Sequence, residues 1–152
     1  MPMMFDGTNL IGNLNLSSFN TSKVVDMSNM FSNSVFLNSV NLSSFNTSAV
    51  TNMAGMFYRT LGMAVIDISK FNTNNVQHME DMFRETGAVT IQASWLFNTN
   101  NVVDSSRMFM SAIHLVGQNG TAYNATNPQD KTYARFDNVG GLPGYFTYKH
   151  PY

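Results

Sequence analysis

The chain has 152 residues, 43% of them hydrophobic, enough for one domain with a buried core. Only 11% are charged and the formal net charge is -1, which leaves no electrostatic footprint for a nucleic-acid backbone or an anionic membrane. Cysteine is absent, and that excludes disulfides, thiolate metal sites and cysteine nucleophiles together.

From the N-terminus onward, no run approaches the roughly 18 apolar residues of a membrane span, and the first segment lacks the basic start and apolar run of a signal peptide. No membrane insertion is expected of these residues, and an export signal is expected to lie outside them. Met1, Met4 and Phe5 fall one period of 26 residues before Met27, Met30 and Phe31. Residues 1–13 are therefore expected to be part of a coil, with the N-terminus cut from something longer.

The period is set by columns that never slip: Phe19, Phe45, Phe71 and Phe97, then Phe31, Phe57, Phe83 and Phe109, with valine and methionine columns between them. Coils start near residues 14, 40, 66 and 92. In the first, Leu14, Leu16 and Phe19 alternate with Asn15 and Ser17, the pattern of a short strand with one face inward. Val24, Met27, Met30 and Phe31 follow at spacings of three, three and one, which predicts one face of a short helix or helical turn. A strand that recurs once per coil can pair with its copy only in parallel. The expected fold is α/β: a leucine-rich-repeat-like solenoid over residues 1–111, with one parallel strand and one short helix per coil.

Stacked columns assign the remaining roles. The phenylalanine and methionine columns form the core, and the methionines are core filler rather than copper ligands. Asn20, Asn46, Asn72 and Asn98 each follow the first phenylalanine, where an amide, and the threonine hydroxyl after it, can bond the same turn or a neighbouring coil. These are structural ladders. The outward strand positions Asn15, Ser17, Asn41, Ser43, Asp67 and Ser69 make a small polar face suited to a ligand. Trp95 takes the same column in the fourth coil, where Gln92 and Ser94 replace the usual apolar pair. Either Trp95 projects from the polar face as a binding aromatic, or the strand slips by one and turns Ile91, Ala93 and Trp95 inward.

Past Ser111 the period is lost, and residues 112–152 are expected to cap the last coil. Tyr133 to Phe136 and Tyr145 to Tyr148 predict two strands of a β-hairpin-like segment around Gly140 and Gly141. Catalytic chemistry is not found. His78, His114 and His150 sit at unrelated phases and form no triad or HExxH spacing. His78, Glu80 and Asp81 share a turn but are better suited to a solvated face than to a metal, and Asp137 with Asn138 lacks the spaced oxygens of a calcium loop. No cofactor, metal or enzymatic activity is expected.

The repeat text LSSFNTSKVVDMSNMF and its copies resemble the BspA-like leucine-rich repeat of bacterial surface proteins and mycoplasma lipoproteins. The tail YARFDNVGGLPGYFTYK is similar to a segment that often follows such repeats in Gram-positive bacteria. The resemblance covers almost the whole chain. It implies an extracellular or wall-attached protein engaged in adhesion, with no catalytic residues to carry over. This chain departs from the family where a cysteine often stands after MF: Thr8, Ser34, Thr60, Thr86 and Ala112 occupy that column. Six Asn-X-Ser/Thr sequons, several in strand or corner positions, fit a bacterial source better than a glycosylating one. The expected function is binding of a protein or glycan through the strand face. The alternative is a structural protein that stacks end to end into homo-oligomers.

Overall fold

The computed structural model describes residues 1–152. Its strands are β1 (Gly12–Asn15), β2 (Leu37–Asn41), β3 (Val65–Asp67), β4 (Thr90–Ala93) and β5 (Phe146–Tyr148), with one 3₁₀ turn at Lys131–Tyr133. β1 and β2 form one parallel pair, and β3, β4 and β5 form a second, three-stranded parallel sheet. The chain is not the helix-bearing α/β solenoid expected from its sequence: it has no α-helix, and short strands, isolated bridges and turns make up the structure.

The backbone donors explain why no helix forms over Val24 to Phe31. The N–H groups of Met27, Asn29, Phe31 and Asn33 donate to the carbonyls of Asn52, Ala54, Met56 and Tyr58 at 2.8–3.0 Å, one layer further on. In between, Met30, Ser32 and Ser34 donate to carbonyls three residues back. An α-helix would need bonds to the fourth residue back, so the two patterns exclude each other. The dihedrals agree, because Asn29 and Asn33 have φ of 53° and 56°, in the left-handed region that a right-handed helix does not visit. Both positions recur: Gly55, Asp81 and Arg107 repeat the first, and Arg59, Glu85 and Ser111 the second. Tight turns of this kind satisfy the three, three, one spacing as well as a helix does, with Met27, Met30 and Phe31 all fully buried.

The layers share one core. Phe5, Phe31, Phe57, Phe83 and Phe109 stack with ring centroids 5.6–5.8 Å apart, and parallel bridges join Asp26, Asn52, His78 and Asp104. The threonine of each corner ties layers together. Thr73 is buried, donates its hydroxyl to the Asn98 carbonyl at 2.6 Å and accepts the Asn98 N–H at 2.8 Å. Asparagine serves its own turn: the Asn20 and Asn46 side-chain oxygens accept from the N–H and hydroxyl of Ser22 and Ser48. In the small column, Thr60 and Thr86 face each other at 3.2 Å.

The C-terminal hairpin is also overturned. β5 pairs in parallel with β4, Ile91 opposite Phe146 and Ala93 opposite Tyr148, so it lies where the strand of a further layer would lie. Tyr133 belongs to the 3₁₀ turn, which Asp130 caps by accepting the Thr132 N–H, and Phe136 makes a single parallel bridge to Phe146. The intervening turn needs positive φ at Asn138, Gly140 and Gly141, which glycine supplies without steric cost. Tyr145 and Phe146 then close the core, their rings meeting Phe109 at 5.2 and 6.1 Å.

Candidate functional site

The first three strands each end on a residue whose side chain folds back into an Asx turn. The side-chain oxygens of Asn15, Asn41 and Asp67 accept the N–H of Ser17, Ser43 and Ser69 at 3.0 Å, which stops the strand and fixes the polar column. In the fourth layer Ala93 has no such group, and Ser94 accepts the Leu96 N–H instead. That substitution accompanies the break in register. Ile66 lies opposite Ile91, an offset one short of the repeat, so Ile91 and Ala93 point inward as a slipped strand requires. Trp95 does not follow them. It stays 51% exposed, because buried Ser94 restores the register before it.

The polar column and the C-terminal tail enclose a cleft of about 270 Å³. Asn41, Ser43, Asp67 and Ser69 line one wall, while Lys70, Lys149, His150 and Tyr152 come from elsewhere around it. Lys149 donates its backbone N–H to the Ala93 carbonyl at 2.8 Å and reaches Asp67 Oδ2 with its ammonium at 2.5 Å. Burial pushes the Asp67 carboxyl up. Its bonds to the Lys149 ammonium and to Ser69 outweigh that and hold it below the ordinary aspartate value. His150 lines the cleft and sets its ring edge-on to Trp95 at 4.9 Å, while Tyr148 stacks beside Trp95 at 6.1 Å.

The candidate binding residues therefore divide. Asn41, Ser43 and Asp67 share the cleft, and Trp95 stands next to it behind His150. Ser69 lines the cleft but is itself buried, and Asn15 and Ser17 lie exposed on the first layer, outside it. Sequence reasoning missed Lys70, Lys149, His150 and Tyr152. The signal for the last three was the mixed aromatic and basic ending YFTYKHPY, which a hairpin would have carried away from the strand face.

The two weak metal candidates have internal partners. Asp81 takes a two-pronged pair from Arg107 at 2.9 and 2.7 Å, one layer on, and this guanidinium holds its carboxyl low. Asp137 is buried, with both carboxylate oxygens aimed at donors: the N–H groups of Asn119, Thr121 and Gly144 and the Thr121 hydroxyl. Burial raises its pKa, but these bonds outweigh that and leave it below the ordinary value. No three histidine, aspartate or glutamate side chains gather into a ligand set.

A family model described as "Mycoplasma protein of unknown function, DUF285" matches residues 1–94 and again 42–139. No curated protein and no solved structure matches the chain.

Proposed function

The chain belongs to the DUF285 family of Mycoplasma proteins, and from that premise we propose that it is a non-enzymatic surface or secreted protein, related to BspA-like leucine-rich-repeat proteins, that binds a protein or glycan through its strand face. The observation that carries this reading is the pairing of an aromatic platform with a polar cleft. Trp95 and Tyr148 offer aromatic surface, with the His150 ring edge-on beside Trp95, to a sugar ring or an aromatic side chain. Beside them, the Asn41 amide N–H₂, the Ser43 hydroxyl and the Lys70 ammonium are donors that no group of the chain engages. A neutral ligand rich in hydroxyl or amide groups suits such a site.

The test is to probe glycan and protein arrays with the whole chain, then repeat any hit with Trp95→Ala and Ser43→Arg. Each substitution lies at an exposed position and should leave the melting temperature within about a degree or two. Affinity should fall roughly tenfold or more for Trp95→Ala, the usual scale for an aromatic anchor. Undiminished affinity in both correctly folded variants would remove the strand face as the binding surface.

A further inference from the structure

The second and third layers are bonded unevenly. On the strand side the Leu16 N–H donates to the Asn41 carbonyl at 3.3 Å and the Ile68 N–H to the Gln92 carbonyl at 2.9 Å, each reaching the next layer. Leu42 stands in the same column, 26 residues from both, and its N–H makes no hydrogen bond. The Asp67 carbonyl, which stands where the Asn41 carbonyl accepts from Leu16, has no donor either. Alternate residues of a parallel strand face the neighbour on each side, so with Ile68 bonded to the β4 layer Asp67 turns its main chain towards β2. The two strands accordingly belong to separate sheets.

This break is a slot and not a free edge. Behind it runs the arc of turns that follows each strand, where the N–H groups of Met53, Gly55, Phe57 and Arg59 bond the carbonyls of His78, Glu80, Met82 and Arg84 at 2.8–3.0 Å. At the corner the Thr47 hydroxyl reaches the Asn72 carbonyl at 2.9 Å. The layers are thus held one spacing apart on two sides. A peptide strand, which needs about 4.8 Å to each neighbour, has no room between them, whereas a single oxygen does. Leu42 and Asp67 both line the cleft on the strand face. Leu42 is buried, and an N–H left unmet in such a residue is costly.

We infer that the break is the anchoring subsite of the cleft for a neutral oligosaccharide, one hydroxyl of which accepts from the Leu42 N–H and donates to the Asp67 carbonyl. A hydroxyl does both through one atom. The Asp67 carboxylate is already engaged by Lys149 and Ser69, which leaves its main chain for the ligand. The Asn41 amide and the Ser43 hydroxyl on the same cleft wall meet neighbouring oxygens of the ring. Further sugars run across the layers to the Trp95 and Tyr148 rings, which take a sugar face. The inference rests on the strand-face reading and narrows its ligand to a glycan.

Hydrogen exchange of the free chain gives the first test. The Leu42 amide should exchange roughly tenfold or more faster than that of Ile68, and equal protection of the two would overturn the inference by showing the ladder closed. The ¹⁵N-labelled chain is then titrated with the neutral glycans of an array, cellotriose and triacetylchitotriose first, and with an extended octapeptide of alternating serine and alanine. A glycan that binds should slow Leu42 exchange by roughly tenfold and shift the Leu42 and Trp95 indole N–H resonances, with Ile68 unmoved. Binding without protection of Leu42, an array with no neutral glycan that binds, or protection of Leu42 by the octapeptide overturns it. A protein ligand whose affinity falls with Trp95→Ala while no glycan binds would sink this subsite and leave the strand-face reading standing.

Discussion

The two ends of the stack are built from the same columns and finished differently. Met108 and Phe109 at the C-terminal end are fully buried under Tyr145 and Phe146, whereas Met4 and Phe5, their counterparts in the first layer, remain partly open. The backbone repeats the contrast, since Gln129 and Tyr123 take the N–H groups of Phe109 and Ser111 in the last arc while the first arc's outward carbonyls have no donor. Repeat sequence thus makes the interior of the stack, and over its last layer non-repeating chain supplies a strand, aromatic cover and hydrogen-bond partners together.

The contrast is sharpened most by truncating one column at two depths. Phe57→Ala should cost about 3 to 5 kcal/mol, because it opens a cavity between Phe31 and Phe83. Phe5→Ala should cost only about 1 to 2 kcal/mol at the open end, as read by urea unfolding. Equal losses would break the distinction between interior and end. Next comes the cap's polar centre. Asp137→Asn should cost about 2 to 4 kcal/mol, since it sets an amide against N–H donors in a buried site. Because folding holds this carboxyl below its unfolded value of about 3.9, its stabilisation is complete above that pH and is lost as the pH falls towards the folded value. The variant's stability should therefore fall less steeply below about pH 4 than that of the parent, a difference that acid titration followed by tryptophan fluorescence would show. The smallest effect concerns a single tie between layers. Thr73→Val keeps the shape but leaves the Asn98 N–H and carbonyl unbonded, and thermal unfolding should record a loss of about 1 to 2 kcal/mol.

Much of the layer plan is legible in the sequence. The 26-residue offset of Phe31, Phe57 and Phe83 is the offset at which their rings stack, and the asparagine and threonine of the FNT corner are residue types that bond turns. Hydrophobic spacing could not separate a helix from turns with left-handed residues, because both bury Met27, Met30 and Phe31. The discriminating signal lay in the polar column between them: Asn29, Gly55 and Asp81 are types that tolerate positive φ, although Arg107 in the same column obscures it. Strand direction in the tail was beyond local pattern. Phe146 to Tyr148 alternate as hairpin strands do, and only the free edge of β4 makes parallel pairing the outcome. For the site, the polar column and Trp95 were visible as residue types, but the cleft depends on where Lys149 and His150 cross the face, a long-range fact.

The central claim is that each arc sends its N–H groups to the following layer instead of back along a helix. Couplings measured by NMR across hydrogen bonds test it without intermediaries. They should connect the Phe31 N–H to the Met56 carbonyl, Phe57 to Met82 and Phe83 to Met108, each 25 residues on. Couplings from Phe31, Phe57 and Phe83 to the carbonyls of Met27, Met53 and Met79, four residues back, would contradict it.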